Sequence, residues 1–183
     1  MATLFNGDCL EEMETIEDNS IDLIFCDLPY GQTSCKWDCL IDLDKLWIEF
    51  MRIKKLHTPV IMTCTTKFGQ SLLNSCPKNC PFRYDLIWCK SASVGFLQAR
   101  KMPMRKHEMI YVFYEKLPLY DLSSHTHKFI SETSNKDCGK KDGVDNKSVY
   151  KNRSKTKLQR QYSPPLPNSL LEEVKIDIAK DGA

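Results

Sequence analysis

The sequence has no apolar run of about 18 residues, which excludes a membrane-spanning helix of ordinary length. Its start, Met1-Ala-Thr-Leu-Phe-Asn6, carries no basic flank before an apolar core, so no secretory signal is expected. Glycine is scarce: seven in 183 residues. None sits in a Gly-x-Gly turn. No segment repeats, which excludes a solenoid or propeller. Neither sign of charge dominates, since 26 Lys+Arg face 24 Asp+Glu for a net +2. Whole-chain charge therefore names no partner. The cysteines, nine in number, do not form an even set. With no export signal they read as reduced thiols in a cytosol-like compartment.

What is present is globular. Hydrophobic residues make up 42% and charged residues 27%, enough for one α/β domain, or one domain with a tail. Charge is uneven along the chain. Lys128 to Arg160 holds ten Lys/Arg and four acids, a net +6 that leaves −4 for the rest. This stretch has few large apolar residues and little core-forming capacity. Leu119 to Pro167 therefore reads as a mobile insertion or linker, ending in the breaker run Ser163-Pro-Pro-Leu-Pro167.

The first ~118 residues read as ordered. Ile21–Cys26 is a short apolar run between polar flanks and is expected as a buried strand. Asp42 to Leu56 places Leu43, Leu46, Trp47, Phe50, Met51 and Ile53 near helical spacing. Pro59–Cys64, Tyr84–Cys89 and Met109–Tyr114 read as further strands, and Lys67–Asn74 as a short helix. The alternation argues a mostly parallel sheet with helices on its faces. Leu170 to Ala183 reads as a short helix-like stretch.

Asp27-Leu28-Pro29-Tyr30-Gly31 follows the first strand directly. In open α/β sheets ligands bind beyond the carboxyl ends of strands. A carboxylate, a proline and an aromatic there make a candidate reactive corner, although Pro and Gly also suit an ordinary turn. Asp8 follows the apolar stretch Ala2–Phe5, where it suits a helix N-cap over Leu10–Ile16. Lys101-Met-Pro-Met-Arg105-Lys106-His107 clusters basic groups just before a strand, which suits phosphate contact. Arg105, Lys106 and Lys90 are the candidate nucleic-acid residues, and His107 reads as structural. The pairs Cys35/Cys39 and Cys76/Cys80 are spaced more widely than a zinc knuckle, so no metal is assigned.

In context these segments resemble a family. Asn6-Gly-Asp-Cys-Leu10, Ser20-Ile-Asp-Leu-Ile-Phe-Cys-Asp-Leu-Pro-Tyr-Gly31 and Lys36-Trp-Asp38 are similar to the amino-terminal half of DNA amino-methyltransferases of the permuted (beta) class. Leu86-Ile-Trp-Cys-Lys90 and Pro103-Met-Arg-Lys-His-Glu108 continue the similarity. It covers about residues 4 to 118. The resemblance implies an incomplete Rossmann-like sheet with S-adenosylmethionine as cofactor. It also implies methylation of an exocyclic amine, adenine N6 by preference and cytosine N4 as the alternative, on a base flipped out of double-stranded DNA. Asp27, Leu28, Pro29 and Tyr30 would form the catalytic motif. The Asp27 carboxylate and the Leu28 carbonyl would accept the amine N–H groups, Pro29 would stiffen the loop, and Tyr30 would stack on the base. Leu28 departs from the family's usual proline. Asp8 and Asp27 would contact the cofactor, with Ala2–Phe5 as the strand before Asp8. The basic stretch lies where the class often places target recognition, and the expected compartment is the cytoplasm.

The resemblance also exposes a gap. The family's Phe-x-Gly-x-Gly turn, which holds the methionine part of the cofactor, is not in the sequence. Its absence implies an open strand edge beside Ile21–Cys26. It suggests a truncated product, a decayed DNA-binding remnant, or one half of a split enzyme completed by a companion polypeptide.

Overall fold

A computed structural model describes residues 2–123, 128–134, 158–163 and 167–172. The chain divides into two units, Met1–Leu119 with Ser169–Ala183, and Tyr120–Asn168.

The first unit is built on a five-stranded sheet. Its strands are β1 (Ile24–Cys26), β2 (Val60–Cys64), β3 (Phe82–Val94), β4 (Arg105–Phe113) and a short strand at Leu170–Glu172. Three helices accompany them: α1 (Cys9–Met13), α2 (Leu43–Ile53) and α3 (Thr66–Ser75). The spatial order is β1-β2-β4-β3, with Leu170–Glu172 outermost. This is the expected α/β class.

Pairing departs from a mostly parallel sheet. β1 and β2 are parallel, joined through α2, but β4 is antiparallel to both β2 and β3. The cause is the Gly95–Met104 connection. A parallel return needs a crossover of about a dozen residues or more, whereas a shorter link makes a hairpin.

Alternation along β2 and β4 separates two faces. Val60, Met62, Cys64 and Phe113 point into the main core, where Leu46, Trp47, Phe50 and Ile53 of α2 and Phe68 and Leu72 of α3 close over them. Trp47 meets Phe113 edge-on at 5.3 Å between ring centroids. On the other face, Ile110 and Val112 are buried outside that core cluster.

Local signals fix the helix ends. Asp42 caps α2 by accepting from Asp44 N and Lys45 N, and Thr65 caps α3 by accepting from Phe68 N. Each cap satisfies amides that the first turn leaves without a partner. Arg52 at the end of α2 ties in α1: its guanidinium donates to the Met13 and Ile16 carbonyls at 2.7 and 2.8 Å and to Glu49 and Asp18.

Two expected elements differ. Ala2–Phe5 forms no strand, and Leu4 and Phe5 are exposed. An apolar run becomes a strand only where a neighbouring strand pairs with it, and none does so here. Leu170–Glu172 is a strand rather than helix, because it docks parallel to Ile87–Cys89 of β3. The rest of that expected helix lies outside the described residues.

Within the second unit, β5 (Lys128–Ser134) and β6 (Leu158–Ser163) pair antiparallel. The stretch expected as a linker thus carries two paired strands. With these named, Leu170–Glu172 is β7. The basic residues between β5 and β6 lie outside the described residues. Among the described residues no helix is long and apolar enough to cross a membrane.

Candidate active site

The carboxyl ends of β1 and β2 lie side by side, with Cys26 opposite Met62. Asp27 leaves β1 at that end, and the next residue along β2, Thr63, reaches its carboxylate. The Thr63 hydroxyl donates a short hydrogen bond to Asp27 Oδ1. The Tyr30 hydroxyl also meets Asp27 Oδ1, at 3.0 Å, and lies 2.9 Å from Thr63 Oγ1. Both contacts are to the same oxygen, so Asp27 is oriented through Oδ1 while Oδ2 is left for another donor.

Glu108 completes the group. Its Oε1 lies 3.0 Å from the Tyr30 hydroxyl, and its Oε2 pairs with Lys90 Nζ at 2.6 Å. Glu108 and Lys90 face each other because β3 and β4 are a hairpin, with Trp88 directly opposite Glu108. The Lys90 ammonium also sits 5.3 Å from the Trp88 ring centre. Burial, together with the carboxylates of Asp27 and Glu108, pushes the Tyr30 phenol well above its ordinary value, against a smaller opposite pull from Thr63. Tyr30 therefore stays protonated and can act only as a neutral hydroxyl.

The loop after Tyr30 is held by one side chain. Asp38 accepts from the backbone N–H groups of Gly31, Gln32 and Thr33 at 2.7, 2.8 and 2.6 Å. These donors, led by the Thr33 hydroxyl, lower its carboxyl to about 2. Gly31 has φ of +62°, and a Cβ there would come within 2.8 Å of Leu40. The turn thus requires glycine on both counts.

These residues wall an open cleft of about 500 Å³. Asp27, Tyr30, Trp37, Trp88, Lys90 and Glu108 line it. Trp37 is largely exposed. The cleft offers two indole rings, an oriented carboxylate and an ion pair, which suits a flat, polar-edged heterocycle.

The expected site residues fall into three places. Asp27, Leu28, Pro29, Tyr30 and Lys90 all line the cleft. Tyr30 packs one side of its ring against Phe68, with centroids 5.2 Å apart. Asp8 caps α1, its Oδ1 accepting from Leu10 N at 2.8 Å. Arg105 and Lys106 lie at the start of β4. Arg105 Nε donates to the His107 carbonyl at 3.0 Å. Lys106 and His107 border a separate hollow with Ile87, Cys89 and Glu172. Lys90 is engaged by Glu108 inside the cleft, away from the group at the hairpin end.

Sequence reasoning missed Thr63 as a partner of Asp27, Glu108 as a partner of Tyr30, and Trp88 and Trp37 as cleft walls. Thr63 sits on the face of β2 opposite Val60, Met62 and Cys64, buried where an aliphatic residue is ordinary. A polar residue there was the available signal.

No protein-family model matches the sequence, and no curated protein matches it. Solved structures do. The M1.HpyAVI-SAM complex has a TM-score of 0.47 at 9% identity, covering 64% of this chain and 57% of that one. M1.HpyAVI alone gives 0.44 at 10% identity, with 60% and 52% covered. PvuII DNA methyltransferase, cytosine-N4-specific, gives 0.47 at 14% identity, with 64% and 50% covered. The aligned part thus spans about half of each of these proteins.

Proposed function

We propose that this chain carries the catalytic corner of a DNA amino-methyltransferase, with adenine N6 as target. The observation that supports it most is the placement of Asp27. Its carboxylate is oriented through one oxygen at the carboxyl end of a strand, on the wall of a cleft with two indoles. An exocyclic amine is a poor nucleophile because its lone pair is delocalised into the ring. Asp27 Oδ2 and the Leu28 carbonyl accept its two N–H groups and draw the nitrogen towards tetrahedral geometry. Thr63, Tyr30 and Glu108 keep Asp27 from turning away. The rings of Tyr30, Trp37 and Trp88 receive the base, whose removal from the duplex costs roughly a few kcal/mol. Most of the catalytic effect is positioning, with reacting atoms held about 3–3.5 Å apart. The same geometry serves cytosine N4.

The cofactor of this chemistry, S-adenosylmethionine, supplies a methyl carbon activated by a positive sulfur. The fit to this chain is partial. Asp8 and Asp27 are the residues to hold it, but Gly7 is no glycine-rich turn: a Cβ there would meet the Glu12 carboxylate at 2.3 Å. Among the described residues none takes the place of the missing turn for the methionine part.

One observation favours a second reading, the same chemistry divided between two polypeptides. β1 stands at the sheet edge with Leu23 and Phe25 more than half exposed. An open apolar edge is ordinarily covered, and a companion segment bearing the glycine turn would cover it. A non-catalytic DNA-binding remnant is the remaining alternative.

The test is transfer of labelled methyl from S-adenosylmethionine to DNA, followed by nucleoside analysis, with Asp27→Asn as control. N6-methyladenine formed by the natural chain and lost in the variant is the expected result. N4-methylcytosine would replace the target. A folded chain that transfers nothing, yet binds S-adenosylhomocysteine in a manner lost in Asp8→Ala and Asp27→Ala, would sink the catalytic reading. Absence of both transfer and binding would leave the remnant or divided readings.

A further inference from the structure

The β3–β4 turn has properties that a simple connection does not need. Gly95 has φ of +93°, with open space where a Cβ would stand. It directs the chain into a single 3₁₀ turn, Phe96–Gln98. Backbone hydrogen bonds run from Gln98 N to the Gly95 carbonyl, from Ala99 N to Phe96, and from Lys101 N and Met102 N to Gln98. The backbone of the tip is therefore organised by its own contacts. Its side chains are not tucked in. Phe96 is 80% and Leu97 95% exposed, and Met102 and Met104 are about half exposed. Large apolar groups clustered on a surface generally mark an interaction site.

Charge narrows the partner. Between Leu86 and His107 the chain has five Lys/Arg and no acid. Arg100 and Lys101 lie on the tip itself, and Arg105 and Lys106 at its base. An apolar point flanked by cations fits a polyanion that can open an apolar gap. Stacked bases do so when a wedge enters a step. Position favours the same choice. β3 lines the cleft with Trp88 and Lys90 and then runs on to Val94. At ~3.3 Å per residue, Phe96 lies within about 20 Å of Lys90, a few base steps along a duplex.

We propose that the β3–β4 turn is an intercalating arm, in which Phe96 and Leu97 enter the base stack beside the site while Arg100 and Lys101 hold the adjoining phosphates. This rests on the DNA reading given above and adds a means of opening the stack. Filling the gap left by a displaced base would lower the cost of keeping that base in the cleft.

The test compares binding of the full chain to two duplexes of one sequence, intact and with a single abasic site, by fluorescence anisotropy. A wedge prefers the duplex whose stack already has a gap, and the expected preference is about tenfold. Phe96→Ser/Leu97→Ser should abolish that preference, with an unchanged thermal melt because both side chains are in solvent. Lys101→Gln should weaken both duplexes alike and reduce the salt dependence by about one counterion. Lack of preference in the natural chain, or a preference that survives the double serine variant, would overturn the arm while leaving DNA binding intact. Failure to bind either duplex would overturn the arm and the DNA reading together. Binding to phosphatidylserine vesicles that the serine variant loses, with DNA binding unaltered, would also overturn it and assign the tip to a membrane surface.

Discussion

The hydroxyl of Tyr30 lies 3.0 Å from the carboxylate of Glu108, across 78 positions of sequence. The contact joins the loop after β1 to the hairpin of β3 and β4, and Lys90 holds the far side of Glu108. Tyr30→Phe removes the hydroxyl that touches Asp27, Thr63 and Glu108 while keeping the ring on Phe68. Glu108→Gln keeps the shape and removes the charge that pairs with Lys90. On the proposed reaction, each should lower methyl transfer by roughly 10²-fold, as expected when a reacting group loses its orientation. Stability should fall by only about 1 kcal/mol in Tyr30→Phe, the net worth of one hydrogen bond. Single-turnover rates beside urea unfolding would separate the two effects. Loss of rate in proportion to loss of folded protein would show that the contact is structural only.

A second prediction concerns Asp38 and pH. Its carboxyl falls from an ordinary 3.8 to about 2, through the Thr33 hydroxyl and the Gly31, Gln32 and Thr33 amides. A depressed carboxyl stabilises the folded loop above its unfolded value. That contribution disappears as pH falls through the folded value. The loop should therefore stay ordered from neutral pH to about 4 and loosen towards pH 2. Asp38→Asn should loosen it at every pH, since an amide has one acceptor oxygen for three donors. Hydrogen exchange of the Gly31, Gln32 and Thr33 amides reads this directly. Equal protection in the natural chain and the variant at neutral pH would refute it.

Much of the sheet was legible because Ile21–Cys26 and Pro59–Cys64 are short apolar runs between breakers, and α2 because its apolar residues fall on one face. The ends were less so. β3 continues through Lys90-Ser-Ala-Ser to Val94, a polar stretch with no strand pattern of its own. It is a strand because β4 folds back beside it. Ala2–Phe5 shows the converse, a strand-like run with no neighbour. At the site, Asp27 and Tyr30 were legible from their place after a strand. Their partners were not, because Thr63 and Glu108 meet them only after β1, β2 and β4 are assembled. Lys90, read as a nucleic-acid residue, also pairs with Glu108, a contact set by hairpin register that the sequence does not display.

The third prediction lies away from the site. The Lys54 side chain is 2% exposed, and its ammonium meets Glu115 at 2.9 Å and the Lys55 carbonyl at 3.3 Å. Removing the partner strands a cation in a dry place, which costs about 3–5 kcal/mol for a fully buried pair. Glu115 is 28% exposed, so water recovers part of this, and Glu115→Ala should cost about 2 kcal/mol. Lys54→Met removes the charge with its need for a partner and should cost less. Urea midpoints of the two variants give the order. A Lys54→Met variant less stable than Glu115→Ala would show that the lysine is held by more than this acid.

The last prediction tests how closely α3 sits on the sheet. Gly69 lies inside α3, where Ala ordinarily stabilises by about 1 kcal/mol. Here a Cβ would meet the Tyr111 ring at 2.7 Å and its hydroxyl at 2.9 Å. Tyr111 is not free to turn aside, since it packs edge-on against Phe82 at 5.1 Å and near Phe113. Overpacking of this kind costs about 1–3 kcal/mol, which exceeds the helix gain. Gly69→Ala should therefore destabilise, against the usual sign for an exposed helix. Gly69→Ala combined with Tyr111→Leu, which gives up the ring, should recover most of the loss. A stable single variant would mean that α3 stands further from β4 than this contact implies. Thr65, which caps α3 and accepts from Gln32 at 2.7 Å, would then give the loop after Tyr30 a less rigid support.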